Sequence, residues 1–292
     1  MEGRTRILTL KNGYHVWTRC VGTGPVPILL LHGGPGGDHE YLESLAERLP
    51  LDRYRLYFYD QLGSYRSDQP EDRSLWSVER FLQEVEEVRQ GLGLDRMVLF
   101  GHSWGGMLGI EYALSYPDHL AGLVISNMVP SIASYTEHLN ELREALPPEL
   151  QSQLAAYESR GDYQHPQYLK VIERLNQEHL CRLDPLPVAV ARSLGHLNVE
   201  VYETLQGPNE FVVTGRFKDW DRWADLPRIR VPALILGAQY DTMDAQALVL
   251  MSQRMPLATS AICPNGGHMA MWDDPEHYYP PLLRYLEGLR PF

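Results

Sequence analysis

The sequence predicts an α/β fold: a mainly parallel sheet with helices on both faces, interrupted by a helical insertion. Three observations predict it. Short branched apolar runs alternate with helical spacing from residue 14 to residue 126. That rhythm stops near Met128 and returns at Ala233. The stretch between them carries helical spacing and prolines but no clear strand. The 292 residues suffice for one large domain or for a core with a sizeable insertion. The expected division is a core from residues 1–127 and 227–292 and a helical cap from 128–226.

Each element has its own reason. Residues 14–21 read as a strand, and residues 27–31 (PILLL) form a short apolar run fit for a buried one. Residues 40–49 place Leu42, Leu45, Ala46 and Leu49 on one helical face. Tyr54–Tyr59 is strand-like. Residues 78–90 turn Phe81, Leu82, Val85 and Val88 inward and their Glu and Arg residues to water. Residues 97–100 read as a strand, 105–115 as a helix and Leu120–Ser126 as a strand. Inside the insertion, residues 137–146, 149–158 and 168–180 have helical spacing, punctuated by Pro147, Pro148, Pro166, Pro185 and Pro187. Residues 233–236 (ALIL) restore the strand pattern. Helix 244–254, strand 259–263 and helix 275–289 follow. Strands alternating with helices in this way favour parallel pairing.

Composition excludes several function classes. Asp and Glu outnumber Lys and Arg, 38 to 26, for a net charge of −12. Lysine occurs only at Lys11, Lys170 and Lys218. A nucleic-acid surface needs clustered positive charge, so no nucleic-acid partner is expected. No apolar run approaches the roughly 18 residues of a membrane span, so no membrane partner is expected either. Residues 1–6 are charged and lack the apolar stretch of a signal peptide, which favours a cytoplasmic protein. Cys20, Cys181 and Cys263 are odd in number and far apart, and neither C-x-x-C nor H-E-x-x-H occurs. A disulfide framework, a metal site and a cofactor are therefore not expected.

The strongest chemical signal is Gly101-His102-Ser103-Trp104-Gly105, a G-x-S-x-G match followed by Gly106. A glycine-rich turn alone could carry those letters. Here a strand precedes them and a helix follows, the context in which the serine hydroxyl is thrust out at the carboxyl edge of a sheet. The hydroxyl needs a base. His268 lies in Asn265-Gly266-Gly267-His268-Met269, after the last expected strand. Asp241 follows the strand at 233–236 and is the leading candidate to hold the imidazole. Asp244 is its competitor, with helix capping as its simpler role. The order Ser103, Asp241, His268 is that of α/β-hydrolases. His32-Gly33-Gly34-Pro35-Gly36-Gly37 follows another strand, and Gly34 and Trp104 are the natural pair of backbone amides for an oxyanion. No phosphate-loop continuation, G-K-[ST], follows these glycines.

HGGPG, Asp60-Gln61-Leu62-Gly63, GHSWGG, Gly207-Pro208-Asn209-Glu210-Phe211, Tyr240-Asp241 and Gly267-His268 together resemble the proline iminopeptidases. The likeness is greatest to the tricorn-interacting aminopeptidase branch. It implies an α/β-hydrolase fold with an eight-stranded sheet and a helical cap. It implies release of an N-terminal residue, often proline, from a short peptide through an acyl-enzyme. It matches Ser103, Asp241 and His268 to the triad, Gly34 and Trp104 to the oxyanion donors, and Glu210 to a carboxylate that binds the substrate's free amine. Pairing a carboxylate with an ammonium is sound chemistry for an exopeptidase.

Two positions depart from the family pattern. Thr242 stands where the branch has a second amine-binding Glu, so either Asp244 takes over or the amine site is weaker. Ser64-Tyr65-Arg66-Ser67 lacks the usual second glycine, and Tyr65 either narrows the site or covers the sheet edge. These departures leave room for an amino-acid amide such as prolinamide as substrate, or for an esterase or lactonase. A receptor that has lost its chemistry is a further alternative, opposed by the intact set Ser103, Asp241 and His268. Tyr135, Tyr157, Tyr163, Tyr168, Tyr202, Phe211, Phe217 and Trp220 are candidates for a pocket lining or for packing of the insertion.

Overall fold

The branched apolar runs become strands of one sheet. In the computed structural model, which describes residues 3–289, the strands are β1 (Arg4–Thr9), β2 (His15–Val21), β3 (Val26–Leu31), β4 (Tyr54–Tyr59), β5 (Met97–His102), β6 (Leu120–Ser126), β7 (Ala233–Ala238) and β8 (Ala258–Cys263). Their order in the sheet is β1-β2-β4-β3-β5-β6-β7-β8. β1 and β2 pair antiparallel, as do β2 and β4, and the pairs from β4 to β8 are parallel. The parallel strands therefore all end at one edge.

The helices are α1 (Ser44–Arg48), α2 (Val78–Leu92), α3 (Trp104–Ser115), α4 (Ile132–Glu144), α5 (Pro148–Glu158), α6 (Pro166–Leu175), α7 (Val188–Gly195), α8 (Val199–Leu205), α9 (Ala245–Arg254), α10 (Ala270–Asp273) and α11 (Pro275–Gly288). Side chains alternate across the sheet. Leu29 and Leu31 of β3, Met97 and Leu99 of β5 and Ile235 of β7 pack on one face with Phe81 and Val85 of α2, Leu108 of α3 and Leu248 of α9. Ile28, Leu30, Val98, Phe100 and Leu234 pack on the other with Leu45 of α1 and Leu282 of α11. Both faces are thus buried, and no helix among the described residues is long and apolar enough to cross a membrane.

Between β6 and β7, which are direct neighbours, the chain makes α4–α8 and no named strand. Some elements were not legible in advance. β1 reads RTRILT, and only Leu8 of its six residues is buried. An edge strand with so little apolar surface carries no run to recognise, and its arginines are of the kind that guard an edge. α7 and α8 are valine-rich, which speaks weakly against a helix. Burial of Val190 and Val201 in the fold overrides that preference. The helix at 40–49 is split into a 3-10 turn, Glu40–Glu43, and α1.

α3 lies so close to the sheet that glycine is obligatory. A Cβ on Gly105 would stand 2.2 Å from the carbonyl oxygen of Leu31, and one on Gly101 2.0 Å from that of Gly105. Neither obstacle is a side chain that can turn away. Gly105→Ala is expected to lower unfolding free energy by ~3 kcal/mol or more, measured by urea denaturation against wild type.

Candidate active site

Four loops meet at the carboxyl edge of the parallel strands, the place where open α/β sheets present their ligands. They follow β3, β5, β7 and β8 and carry Gly34, Ser103, Asp241 and His268. Ser103 sits between β5 and α3 with φ 55 and ψ −123. A non-glycine residue at such a φ is strained and needs its surroundings to hold it. Its N–H donates to Ser126 O at 2.9 Å, tying the turn to the end of β6. Gly34 has φ +118, and a Cβ there would lie 2.5 Å from Gly37 N. Trp104 opens α3, so its amide has no acceptor within the helix.

His268 Nδ1–H donates to Asp241 Oδ1 at 2.7 Å, and both residues are buried. Asp241 Oδ2 accepts from Asn127 Nδ2 at 2.6 Å, and Oδ1 accepts from Met243 N at 3.1 Å. Burial opposes ionisation of Asp241, but the His268 charge and these hydrogen bonds outweigh it and hold its pKa low. Burial likewise pushes His268 down, and the charge and hydrogen bond of Asp241, with Glu210 and Asp273 behind them, push it further up. The net result is an imidazole above its ordinary value, with Nε2 left to receive a proton. A cavity of about 290 Å³ is lined by Ser103, His268, Gly34, Glu203 and Glu210, with Ile172, Leu194 and Met269 as apolar wall. A more open groove of about 910 Å³ beside Arg4, Arg6 and Arg55 contains none of these groups.

Glu210 is held by three hydroxyls. The Tyr135 hydroxyl lies 2.6 Å from both Oε1 and the backbone O of Glu210, Thr242 donates to Oε1 at 3.1 Å and Tyr202 to Oε2 at 3.3 Å. Burial and the charge of Glu210 keep both phenols protonated, well above the ordinary tyrosine value. Asp244 stays out of this arrangement: it caps α9 by accepting from Gln246 N and Ala247 N. Tyr65 does not line the cavity but stacks on His196 at 3.7 Å between ring centres. Of the aromatic candidates, Tyr202 lines the main cavity, while Phe217 stacks against Trp104.

Several contributors were missed from sequence. His102, the variable residue between Gly101 and Ser103, is buried, and burial with the nearby His268 lowers its pKa to about 3. It is neutral, so one ring nitrogen donates and the other accepts. Nε2–H donates to His268 O at 2.9 Å, and Nδ1 accepts from the Tyr41 hydroxyl at 2.9 Å. That hydroxyl in turn accepts from Gly33 N at 2.7 Å. One chain of hydrogen bonds thereby links the glycine loop to the histidine loop. Asn127 has φ 55, a conformation asparagine tolerates, but nothing near it in sequence points to Asp241. The insertion also reaches the site: His179 O and Leu180 O accept from His268 N and Met269 N, both at 2.8 Å. Asp38, Glu40 and His196 bring donor atoms within 4.8 Å of one another. Asp38 is already taken by Ser193, His196 and Glu40 N, and Glu40 by Arg192, so the cluster straps α7 to the loop after β3.

The α/β hydrolase fold family matches residues 26–275. The proline iminopeptidase of Flavobacterium johnsoniae is 40% identical over 94% of this chain and 95% of its own. The chain belongs to the proline iminopeptidase family. Its fold is also that of VinJ (TM-score 0.93, 30% identity, 98% of this chain and 99% of that one). The crystal structure of the Mycobacterium smegmatis proline iminopeptidase is similar too, with TM-score 0.88, 29% identity and 98% of each chain covered. In this family member Asp244 is not a second acid of the site, and Thr242 meets Glu210 instead.

Tyr41→Phe should strand the buried Gly33 N–H and His102 Nδ1. The expected cost is ~1–3 kcal/mol of stability, read by chemical denaturation. An unchanged midpoint would mean that the glycine loop does not depend on this chain of bonds.

Proposed function

We infer that this protein is a serine aminopeptidase that releases an N-terminal residue, proline foremost, from short peptides. The observation that carries the reading is the shared cavity. A hydroxyl on a strained turn, an imidazole paired with a buried acid and a carboxylate suited to an amine all line it. Membership of the proline iminopeptidase family supports the choice of substrate.

Ser103 Oγ attacks the carbonyl carbon of the first residue while His268 Nε2 takes its proton. Asp241 keeps Nδ1 protonated and offsets the charge that forms on the ring. The negative oxygen of the tetrahedral intermediate is met by the amides of Gly34 and Trp104. His268 then gives its proton to the departing nitrogen, which leaves as the amine of the shortened peptide. Water, deprotonated by the same imidazole, frees the acyl group from Ser103. Glu210 pairs with the substrate's ammonium and sets the scissile bond one residue from the N-terminus. Residues 128–226 act as the cap that brings Glu210 over the sheet edge. The GPNEF segment supports kinship with the tricorn-interacting branch. The free thiols Cys20, Cys181 and Cys263 suit a reducing, cytoplasmic setting.

Ser103→Ala is expected to abolish hydrolysis of prolyl-p-nitroanilide, lowering kcat by ~10⁶-fold. Glu210→Ala should raise KM for prolyl-p-nitroanilide at least ~10-fold, while p-nitrophenyl acetate, which has no amine, keeps its KM. Equal losses on the two substrates would remove Glu210 from amine recognition.

The base must be neutral to act, and its pKa is raised. Activity should therefore fall with falling pH through a midpoint above about 6.5, the ordinary histidine value. Glu210→Gln removes one of the charges that raise it, so the midpoint in kcat/KM for the acetate ester should move to lower pH.

A further inference from the structure

We propose that Thr242 sets a preference for a secondary over a primary N-terminal amine by occupying an acceptor position on Glu210. The proposal rests on Glu210 being the amine receptor. An ionised carboxylate offers about four lone-pair positions. On Glu210 the protein fills two and shares a third. Oε1 receives Thr242 at 3.1 Å and shares the single Tyr135 proton, 2.6 Å away, with the Glu210 backbone carbonyl at the same distance. Oε2 receives Tyr202 at 3.3 Å and keeps one position. Thr242 and Tyr135 are buried at 0% and 2% exposure, so the hydroxyls that claim Oε1 are not readily displaced by water.

The Thr242 hydroxyl has one proton and three neighbours that compete for contact. Besides Glu210 Oε1 they are Asp241 Oδ1 at 3.3 Å and His268 Nδ1 at 3.5 Å. His268 Nδ1 carries its own hydrogen for Asp241 and cannot accept, so the proton goes to a carboxylate, and Glu210 is the nearer. A second carboxylate at this position would add acceptors to the amine site. A threonine instead consumes one.

The result is a Glu210 carboxylate with few acceptor positions left for an amine. An N-terminal proline carries two N–H donors on its ring nitrogen, whereas any other N-terminal residue carries three. Each donor left without an acceptor in a closed site lowers affinity. The donor count of the amine is then read together with the shape of the side chain. Specificity arises here by leaving the wrong substrate unsatisfied.

The test compares kcat/KM for prolyl- and alanyl-p-nitroanilide in wild type, Thr242→Val, Thr242→Ser and Tyr202→Phe. Thr242→Val keeps the shape and removes the hydroxyl. It should narrow the prolyl-to-alanyl ratio about ten-fold, chiefly through KM. Thr242→Ser, which retains the hydroxyl, should keep the wild-type ratio. Tyr202→Phe frees a position on Oε2 and should narrow the ratio as well, which keeps the proposal testable if Thr242→Val folds poorly. Ratios unchanged in both Thr242→Val and Tyr202→Phe would overturn it. Glu210→Gln separates the two levels. If it spares prolyl-p-nitroanilide relative to p-nitrophenyl acetate, the amine-receptor reading fails and the proposal with it. If it costs the arylamide selectively while the Thr242→Val and Tyr202→Phe ratios stay fixed, the reading stands and the acceptor count alone is wrong.

Discussion

A single hydrogen bond, 2.7 Å between His268 Nδ1 and Asp241 Oδ1, holds the candidate site together. Both groups are buried, and a buried charge persists only when it is paired and its remaining positions are satisfied. The fold meets that demand from three sides. Asn127 at the end of β6 and the Met243 amide complete Asp241, and the insertion's backbone carbonyls hold the histidine loop. Removing one partner from such a pair typically costs ~3–5 kcal/mol, because the other charge is left stranded. The site is therefore part of what keeps this edge of the sheet in one arrangement.

Strain and neutrality support the same centre. Ser103 is held at a positive φ by its bond to Ser126 and by an α3 that can approach only because Gly101 and Gly105 have no side chain. His102, kept neutral by burial and by His268, serves as a fixed donor and acceptor rather than a second base. Two imidazoles 4.9 Å apart between ring centres are thus driven in opposite directions, one toward protonation and one away from it. The difference lies in which of them touches Asp241.

The segment between β6 and β7 reaches the sheet edge through polar contacts as well as apolar packing. Glu210 is anchored by Tyr135 and Tyr202 from the insertion and by Thr242 from the loop after β7. His138 of α4 touches Asp241 O at 3.2 Å, and Asp38 binds α7 to the glycine loop. The segment thus touches the Glu210 carboxylate, the glycine loop and the loops of Asp241 and His268.

By itself the sequence determined the alternation of strands and helices, the glycines of the serine turn and the loop placement of His268 and Asp241. These are local matters: a short branched run, a Gly two positions from a Ser, a loop residue just past a strand. Only the tertiary structure decided that RTRILT forms an edge strand, since its partner, not its composition, makes it one. It alone recruited Asn127, Tyr41 and His102, which carry no spacing signal because their partners lie 114, 61 and 166 positions away in sequence. It also decided what Thr242 does. The identity of that residue removes a charge, but the hydroxyl it donates to Glu210 depends on a segment that returns to the sheet only after the chain has folded.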